Sequence, residues 1–349
     1  MRIAQVSPLF ESVPPRYYGG TERVVSYLTE ELVAQGHSVT LYASGDSRTA
    51  ARLKACVPKS LRLDAACMDP LAHHVLMLER VCQDAGNFDL IHFHVDYLHF
   101  PLSRRLPVPH VTTLHGRLDL PDLVPMYREF GSVPVVSISD SQRRPLPWLN
   151  WRATVHHGLP AGLLRFSPAG GRYLAFIGRT SAEKGLDRAI EVARRAGLPL
   201  RVAAKVDPAD RQYFEQTIAP LMSQPHVEFL GEIDEADKNR LLAGACALLF
   251  LIDWEEPFGL AMIEALACGT PVIAWRRGSV PEVLTHGIDG FVVDSLDAAT
   301  AAARNVGSIE RAACRRTFEQ RFTAPTMARH YLRVYRGLRQ QVPAAVDAA

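Results

Sequence analysis

Apolar residues along the chain fall into short, nearly uninterrupted runs separated by longer mixed segments, the pattern of strands buried on both faces of a parallel sheet. Arg2–Pro8 is the first run, and the following Thr21–Gln35 carries apolar residues at 24, 25, 28, 32 and 33, one face of a helix. Gly36 closes that helix and the β-branched His37–Ala43 follows, so the chain opens as a strand–helix–strand unit. Phe88–Val95, His110–Leu114 and Val133–Ile138 repeat the theme. Glycine and proline crowd between Gly158 and Gly171, which predicts a linker. Beyond it Tyr173–Gly178, Leu200–Ala204, Val227–Leu230, Ala247–Ile252 and Pro271–Trp275 read as strands of a second sheet, with helical segments such as Gly185–Ala196 between them. Thr326–Gln340 reads as a final helix. The predicted fold class is α/β, with two Rossmann-like, doubly wound parallel-sheet domains.

Length agrees with that count, since 349 residues at about 150 per domain make a little over two domains. Lys+Arg 39 against Asp+Glu 37 leaves a net charge of +2, too even a balance for the broad basic surface that nucleic-acid binding requires. Any bound anion must therefore be met locally. The 6 cysteines are scattered without a C-x-x-C pair, and no secretory leader precedes them, so reduced, mostly buried thiols in a cytoplasmic protein are expected. The longest apolar run, Leu241–Ile252, is too short to cross a bilayer. Membrane contact is at most peripheral; Arg104-Arg105 and Arg143-Arg144 are thin support for it.

Ligands of open α/β sheets bind outside the carboxyl ends of the strands, so the loops after the strands carry the chemistry. The loop Gly178-Arg179-Thr180-Ser181-Ala182-Glu183-Lys184-Gly185 sets an Arg and a Lys beside a helix start, a combination that suits a diphosphate. Ordinary solvated side chains are the plain alternative. The loop Asp253-Trp254-Glu255-Glu256-Pro257-Phe258-Gly259-Leu260 runs into the helix AMIEALACG, which places Glu256 ahead of a helix and Glu264 two turns inside it, about 12 Å on. That separation is wide for a glycosidase pair. A surface Glu264 with no role is the simpler reading. Gly19-Gly20-Thr21 opens the first helix, yet no G-x-G-x-x-G turn follows the first strand, which counts against a dehydrogenase. His92, His94, His99, His110 and His115 cluster without a recognisable metal-ligand spacing, and His115 in Thr113-Leu114-His115-Gly116 is the functional candidate among them. No G-x-S-x-G elbow or Walker A loop occurs.

Taken together, Gly178-Arg179 with Glu183-Lys184-Gly185, then Glu256-Pro257-Phe258-Gly259-Leu260 with Glu264, resembles the retaining glycosyltransferases of family 4, whose fold is GT-B. Gly19-Gly20-Thr21-Glu22 is similar to that family's glycine loop, Thr113-Leu114-His115-Gly116 to its histidine loop, and Gly269–Ala274 to the strand after the E-x7-E helix. The resemblance spans nearly the whole chain. It implies two Rossmann-like domains facing a cleft: an acceptor-side domain over 1–160, onto which a C-terminal helix at 326–341 packs back, and a nucleotide-sugar domain over 166–325.

Carried onto this sequence, the resemblance makes Arg179, Lys184, Glu256 and His115 catalytic. Arg179 and Lys184 would hold the donor diphosphate in place of a metal ion, so no cofactor or metal is expected. Glu264 would bind the ribose hydroxyls, Gly231 and Ile233 would border the base, and Gly19, Gly20, Gly178, Phe258, Gly259 and Leu260 complete the donor set. Tyr17, Tyr18, Asp96, Tyr97 and Arg117 are acceptor candidates. The expected partners are a nucleotide-sugar donor, UDP-linked by preference, and a small-molecule acceptor, with no nucleic acid. His157-Gly158 stands where the family commonly has Asn-Gly, and Arg277-Gly278-Ser279-Val280-Pro281-Glu282 departs from its Gly-Gly before Pro-Glu, so sugar specificity does not carry over. A sugar-nucleotide epimerase, a phosphorylase and a non-catalytic nucleotide-sugar-binding protein share the architecture and remain open.

Overall fold

The computed structural model describes residues 1–16 and 19–341. The chain divides into two compact units, Met1–Gly158 together with the helix Ala324–Gln341, and Leu159–Thr323. In the first, β1 (Arg2–Val6), β2 (Ser38–Ser44), β3 (Arg52–Val57), β4 (Leu90–Phe93), β5 (His110–Thr113), β6 (Val135–Ser137) and β7 (Trp151–Thr154) form one sheet in the order β3-β2-β1-β4-β5-β6-β7. Every neighbouring pair is parallel.

Side chains alternate across a strand, so each strand of this sheet serves two layers. Ala4 and Val6 of β1 join Ile91 and Phe93 of β4 on one face, packed with Met77, Leu78 and Val81 of the helix Pro70–Gln83. On the other face Gln5, His92 and Thr113 are buried as well, and polar groups there need partners. The helix Ala324–Gln341 supplies them through the hydroxyls of Tyr331 and Tyr335.

The Leu159–Thr323 unit contains β8 (Leu174–Arg179), β9 (Leu200–Lys205), β10 (Val227–Gly231), β11 (Ala247–Phe250), β12 (Val272–Trp275) and β13 (Gly290–Val293), again parallel, in the order β10-β9-β8-β11-β12-β13. Its core packs Phe176, Val202, Leu249 and Ile273 against Leu186, Ala189, Ile190 and Ala193 of the helix Leu186–Ala196. In both sheets the strand order reverses once, between β1 and β4 and between β8 and β11. The loops leaving those strands flank the crevice where open α/β sheets bind ligands.

Three strands and several helices, Pro70–Gln83 among them, escape the apolar-run reading. β3 and β7 are edge strands with few fully buried positions, so they lack a continuous apolar run, and β13 opens on a glycine. The helix Pro70–Gln83 carries apolar residues on two faces: Met77, Leu78 and Val81 are buried while Leu71, Val75 and Leu76 are exposed, which blurs its periodicity. Asp69 caps the amides of Leu71 and Ala72, and Pro70 follows at the first helical position. The thiols also differ from expectation: all are free, but only Cys268 and Cys314 are buried, the other four being half-buried beside edge strands and helix ends.

Leu248 is fully buried in β11, between β8 and β12. Leu248→Ala should destabilise the Leu159–Thr323 unit by about 2–5 kcal/mol in urea unfolding followed by tryptophan fluorescence. A loss below about 1 kcal/mol would place this strand outside the core.

Candidate functional site

The reversal in the second sheet brings together the loops after β8 and β11. Arg179 is the last residue of β8, and Gly185, at φ +71°, opens the helix Leu186–Ala196. A Cβ at Gly185 would lie 2.2 Å from the Leu251 carbonyl oxygen, so only glycine lets the two loops approach this closely. The Asp253 amide donates to the Glu183 carbonyl at 2.8 Å and ties them. Lys184 Nζ then donates to Glu256 Oε2 at 2.6 Å, both side chains being mostly buried, and lies 5.1 Å from the centre of the Trp254 ring. Arg179 donates to Glu183 Oε1 at 3.1 Å and to Asp210 Oδ2 at 3.3 Å. Both cations are thus oriented by carboxylates.

Glu256 is itself held by the segment Arg277–Glu282, which the sequence marks only as a departure from the family pattern. Gly278, at φ +52°, packs so tightly that a Cβ would sit 2.3 Å from the Glu256 carbonyl oxygen. Next to it, the Ser279 amide donates to that carbonyl at 3.1 Å and the Ser279 hydroxyl to the Phe258 carbonyl at 2.7 Å. The motif Arg277–Glu282 therefore buttresses the Glu256 loop. Phe258 is buried, while Gly178, Gly259 and Leu260 are partly exposed, with Gly259 the cap of the helix Leu260–Ala267.

Glu264, on that helix, is only 5% exposed, which removes the reading of an idle surface carboxylate. Its Oε1 accepts from Lys238 Nζ at 2.6 Å, and Lys238 also pairs with Glu235 at 3.0 Å. Lys238 went unnoticed because it lies in the charged helix Glu235–Gly244, whose sequence reads as a solvated face. Burying Glu264 demands a cation beside it, and this requirement was the available signal. Gly231 ends β10, with Ile233 two residues on, at the outer edge of the sheet and two strands from β8.

In the first unit His115 follows β5, and Asp96, in the loop after β4, adopts φ +46°. The His115 amide approaches Asp96 Oδ1 at 3.4 Å, and the His115 ring stacks on His157 at 5.4 Å. His94 Nδ1 and His115 Nε2 are 3.0 Å apart, and His94 Nε2 lies 2.8 Å from Gln5 Oε1. Burial pushes the His115 imidazole down to about 3 and the Asp96 carboxyl up to about 6. His92 and His94 are held neutral for the same reason. His99 bonds Ser103 and Thr112, and His110 the Val108 carbonyl. Among the described residues no group of three His, Cys, Asp or Glu is arranged to hold a metal ion.

Other sequence candidates sit apart. Arg117 is exposed and bidentate to Asp119 at 2.6 and 2.7 Å, and Tyr97 is partly exposed, edge-on to Tyr127. Gly19 caps the helix Gly20–Ala34, and burial raises the pKa of Glu22 in its first turn. Tyr17 and Tyr18 lie outside the described residues.

Two family profiles match the chain in tandem: the one described as Glycosyltransferase Family 4 over residues 18–165 and the one described as Glycosyl transferases group 1 over residues 166–316. A glycogen synthase of Mycobacterium tuberculosis is 26% identical over an alignment covering 98% of this chain and 97% of the relative. Among solved structures, AviGT4, a glycosyltransferase involved in avilamycin A biosynthesis, superposes with a TM-score of 0.76 at 23% identity, covering 97% of this chain and 98% of that one. HepE of Anabaena in complex with UDP-glucose superposes at 0.71 with 19% identity, covering 97% and 100%.

The raised Asp96 carboxyl makes a test of this geometry. Its folded-state pKa of about 6 exceeds the ordinary 3.8, so its contribution to stability is complete below the ordinary value and is lost as pH rises through about 6. Asp96→Asn removes the buried charge, and its melting temperature should exceed that of the wild type at about pH 8 with the gap closing near pH 4. A difference independent of pH would contradict the burial of this carboxyl.

Proposed function

Since the chain belongs to the family 4 (group 1) glycosyltransferases and has their GT-B fold, we propose that it moves a hexose from a nucleoside-diphosphate sugar, UDP-linked by preference, to a small-molecule acceptor with retention of anomeric configuration. The observation that carries this reading is the Lys184–Glu256 contact with Arg179 beside it, at the strand-order reversal of the second sheet. The HepE neighbour, whose structure holds UDP-glucose, supports the choice of donor.

Breaking the bond between the anomeric carbon and the phosphate oxygen builds negative charge on the departing diphosphate. Arg179, Lys184 and the backbone amides at the start of the Leu260–Ala267 helix, which has no side-chain cap, are preorganised for that charge, the task a divalent ion would otherwise perform. The acceptor hydroxyl attacks the anomeric carbon from the face the diphosphate leaves, and its proton passes to the departing phosphate oxygen. No protein nucleophile is needed, and configuration is kept. Glu256 orients Lys184 and accepts from the sugar hydroxyls. Glu264 Oε1 is engaged by Lys238, which leaves Oε2 for the ribose diol, while Gly231 and Ile233 border the base. On the other unit His115 and Asp96 are the groups assigned to substrate hydroxyls.

Free thiols suit a reducing compartment such as the cytoplasm, and among the described residues no helix is long and apolar enough to cross a membrane.

A panel of UDP-, GDP- and ADP-sugars, scored by thermal shift and by slow donor hydrolysis, should single out one donor class. With that donor, Arg179→Ala and Glu256→Ala should each lower turnover roughly 100- to 1,000-fold without changing the circular dichroism spectrum. Activity within a few-fold of wild type in either folded variant would overturn the assignment. A donor that binds without being turned over would favour a non-catalytic binding protein, and failure of every donor to bind would overturn the nucleotide-sugar assignment itself.

A further inference from the structure

A polar chain runs through the first unit from the β1–β4–β5 face of the sheet to His115, and its hydrogen-bond directions can be followed atom by atom. Gln5 Oε1 is an amide oxygen and can only accept, so His94, 2.8 Å away, carries its hydrogen on Nε2. His94 is fully buried and neutral, hence its Nδ1 is a bare lone pair. The atom facing that lone pair at 3.0 Å is His115 Nε2, which must be the donor. In a neutral His115 the hydrogen on Nε2 leaves Nδ1 bare, and among the described residues none hydrogen-bonds Nδ1.

The other end of the same amide organises the rest. Gln5 Nε2 donates to the Tyr335 hydroxyl at 3.2 Å, and Tyr335 in turn donates to His92 Nδ1 at 2.7 Å. His92 therefore bears its hydrogen on Nε2 and donates to Thr113 Oγ1 at 2.7 Å, which lies 2.9 Å from the Tyr331 hydroxyl. One carboxamide thus aligns three imidazoles, all as the Nε2–H form. Turning it over would invert all three, because each ring passes its polarity to the next.

We propose that Gln5 is a positioning residue which, through His94, holds His115 as the Nε2–H tautomer and presents its bare Nδ1 as an acceptor for a substrate hydroxyl. Only the word substrate rests on the glycosyltransferase reading; the tautomer does not. Burial keeps His115 neutral across the physiological range, so the choice of nitrogen decides whether the ring accepts or donates. The helix Ala324–Gln341, far from His115 in sequence, takes part through Tyr335 and Tyr331.

Long-range ¹H–¹⁵N correlation spectra of the full chain labelled at histidine test this directly, with His115 assigned by loss of its signals in His115→Asn. In the wild type, His92, His94 and His115 should each show a protonated Nε2 and a bare Nδ1. A protonated Nδ1 on His115, or fast averaging of its two nitrogens, overturns the proposal. In Gln5→Met, which neither accepts nor donates, the His115 nitrogens should average, and kcat should fall roughly tenfold with the donor KM held within about twofold. An unchanged His115 spectrum in that variant removes Gln5 from the role. The wild-type spectrum decides the tautomer even if the variant does not fold. It also separates the two claims: the expected tautomer in a chain that transfers no sugar would sink the functional reading alone.

Discussion

Lys184 and Glu256 are 72 residues apart in the chain and 2.6 Å apart in space, a contact that exists because the strand order reverses between β8 and β11. Parallel strands on either side of a reversal send their following loops to the same end of the sheet, with no helix between them. The apolar strands make that arrangement stable, and Gly185 and Gly278 let the backbones close on each other. A mostly buried ammonium beside a mostly buried carboxylate is a weak source of stability, since desolvation offsets most of the attraction. What it provides is position: a cation held in place beside a second cation and a helix start.

The same logic governs Glu264. A carboxylate buried on the inward face of a helix needs a partner, and Lys238 supplies it at 2.6 Å. One oxygen of Glu264 is committed to that ion pair. In the first unit, burial works on neutral groups instead. Gln5, His92, His94 and Thr113 replace apolar core residues, and each is satisfied by a neighbour, so the chain of bonds has direction as well as place.

How much of this was legible depended on burial. Central strands such as Ala247–Phe250 stand out as apolar runs because both faces are covered, whereas β3 and β7 at the sheet edge are half polar and pass unnoticed. The cation and carboxylate loops were visible as motifs, since Arg179, Lys184, Glu256 and Gly259 are close in sequence to strand ends. Lys238 was not, because a lysine in a charged helix carries no local mark of its tertiary partner, and Ser279 stood out only as part of a departure from the family pattern, not as the buttress it is. The histidines were visible as a cluster. Their purpose was hidden, for it depends on Tyr331 and Tyr335 from the far end of the chain.

In the proposed function, two side-chain cations rather than a metal ion recognise a nucleoside diphosphate. Calorimetric titration of UDP and UMP, with EDTA present, into the wild type and Lys184→Ala checks this. UDP should bind the wild type at least about tenfold more tightly than UMP, a gap that EDTA leaves intact and Lys184→Ala largely erases. Equal affinities for UDP and UMP in the wild type, or loss of UDP binding in EDTA, would contradict it.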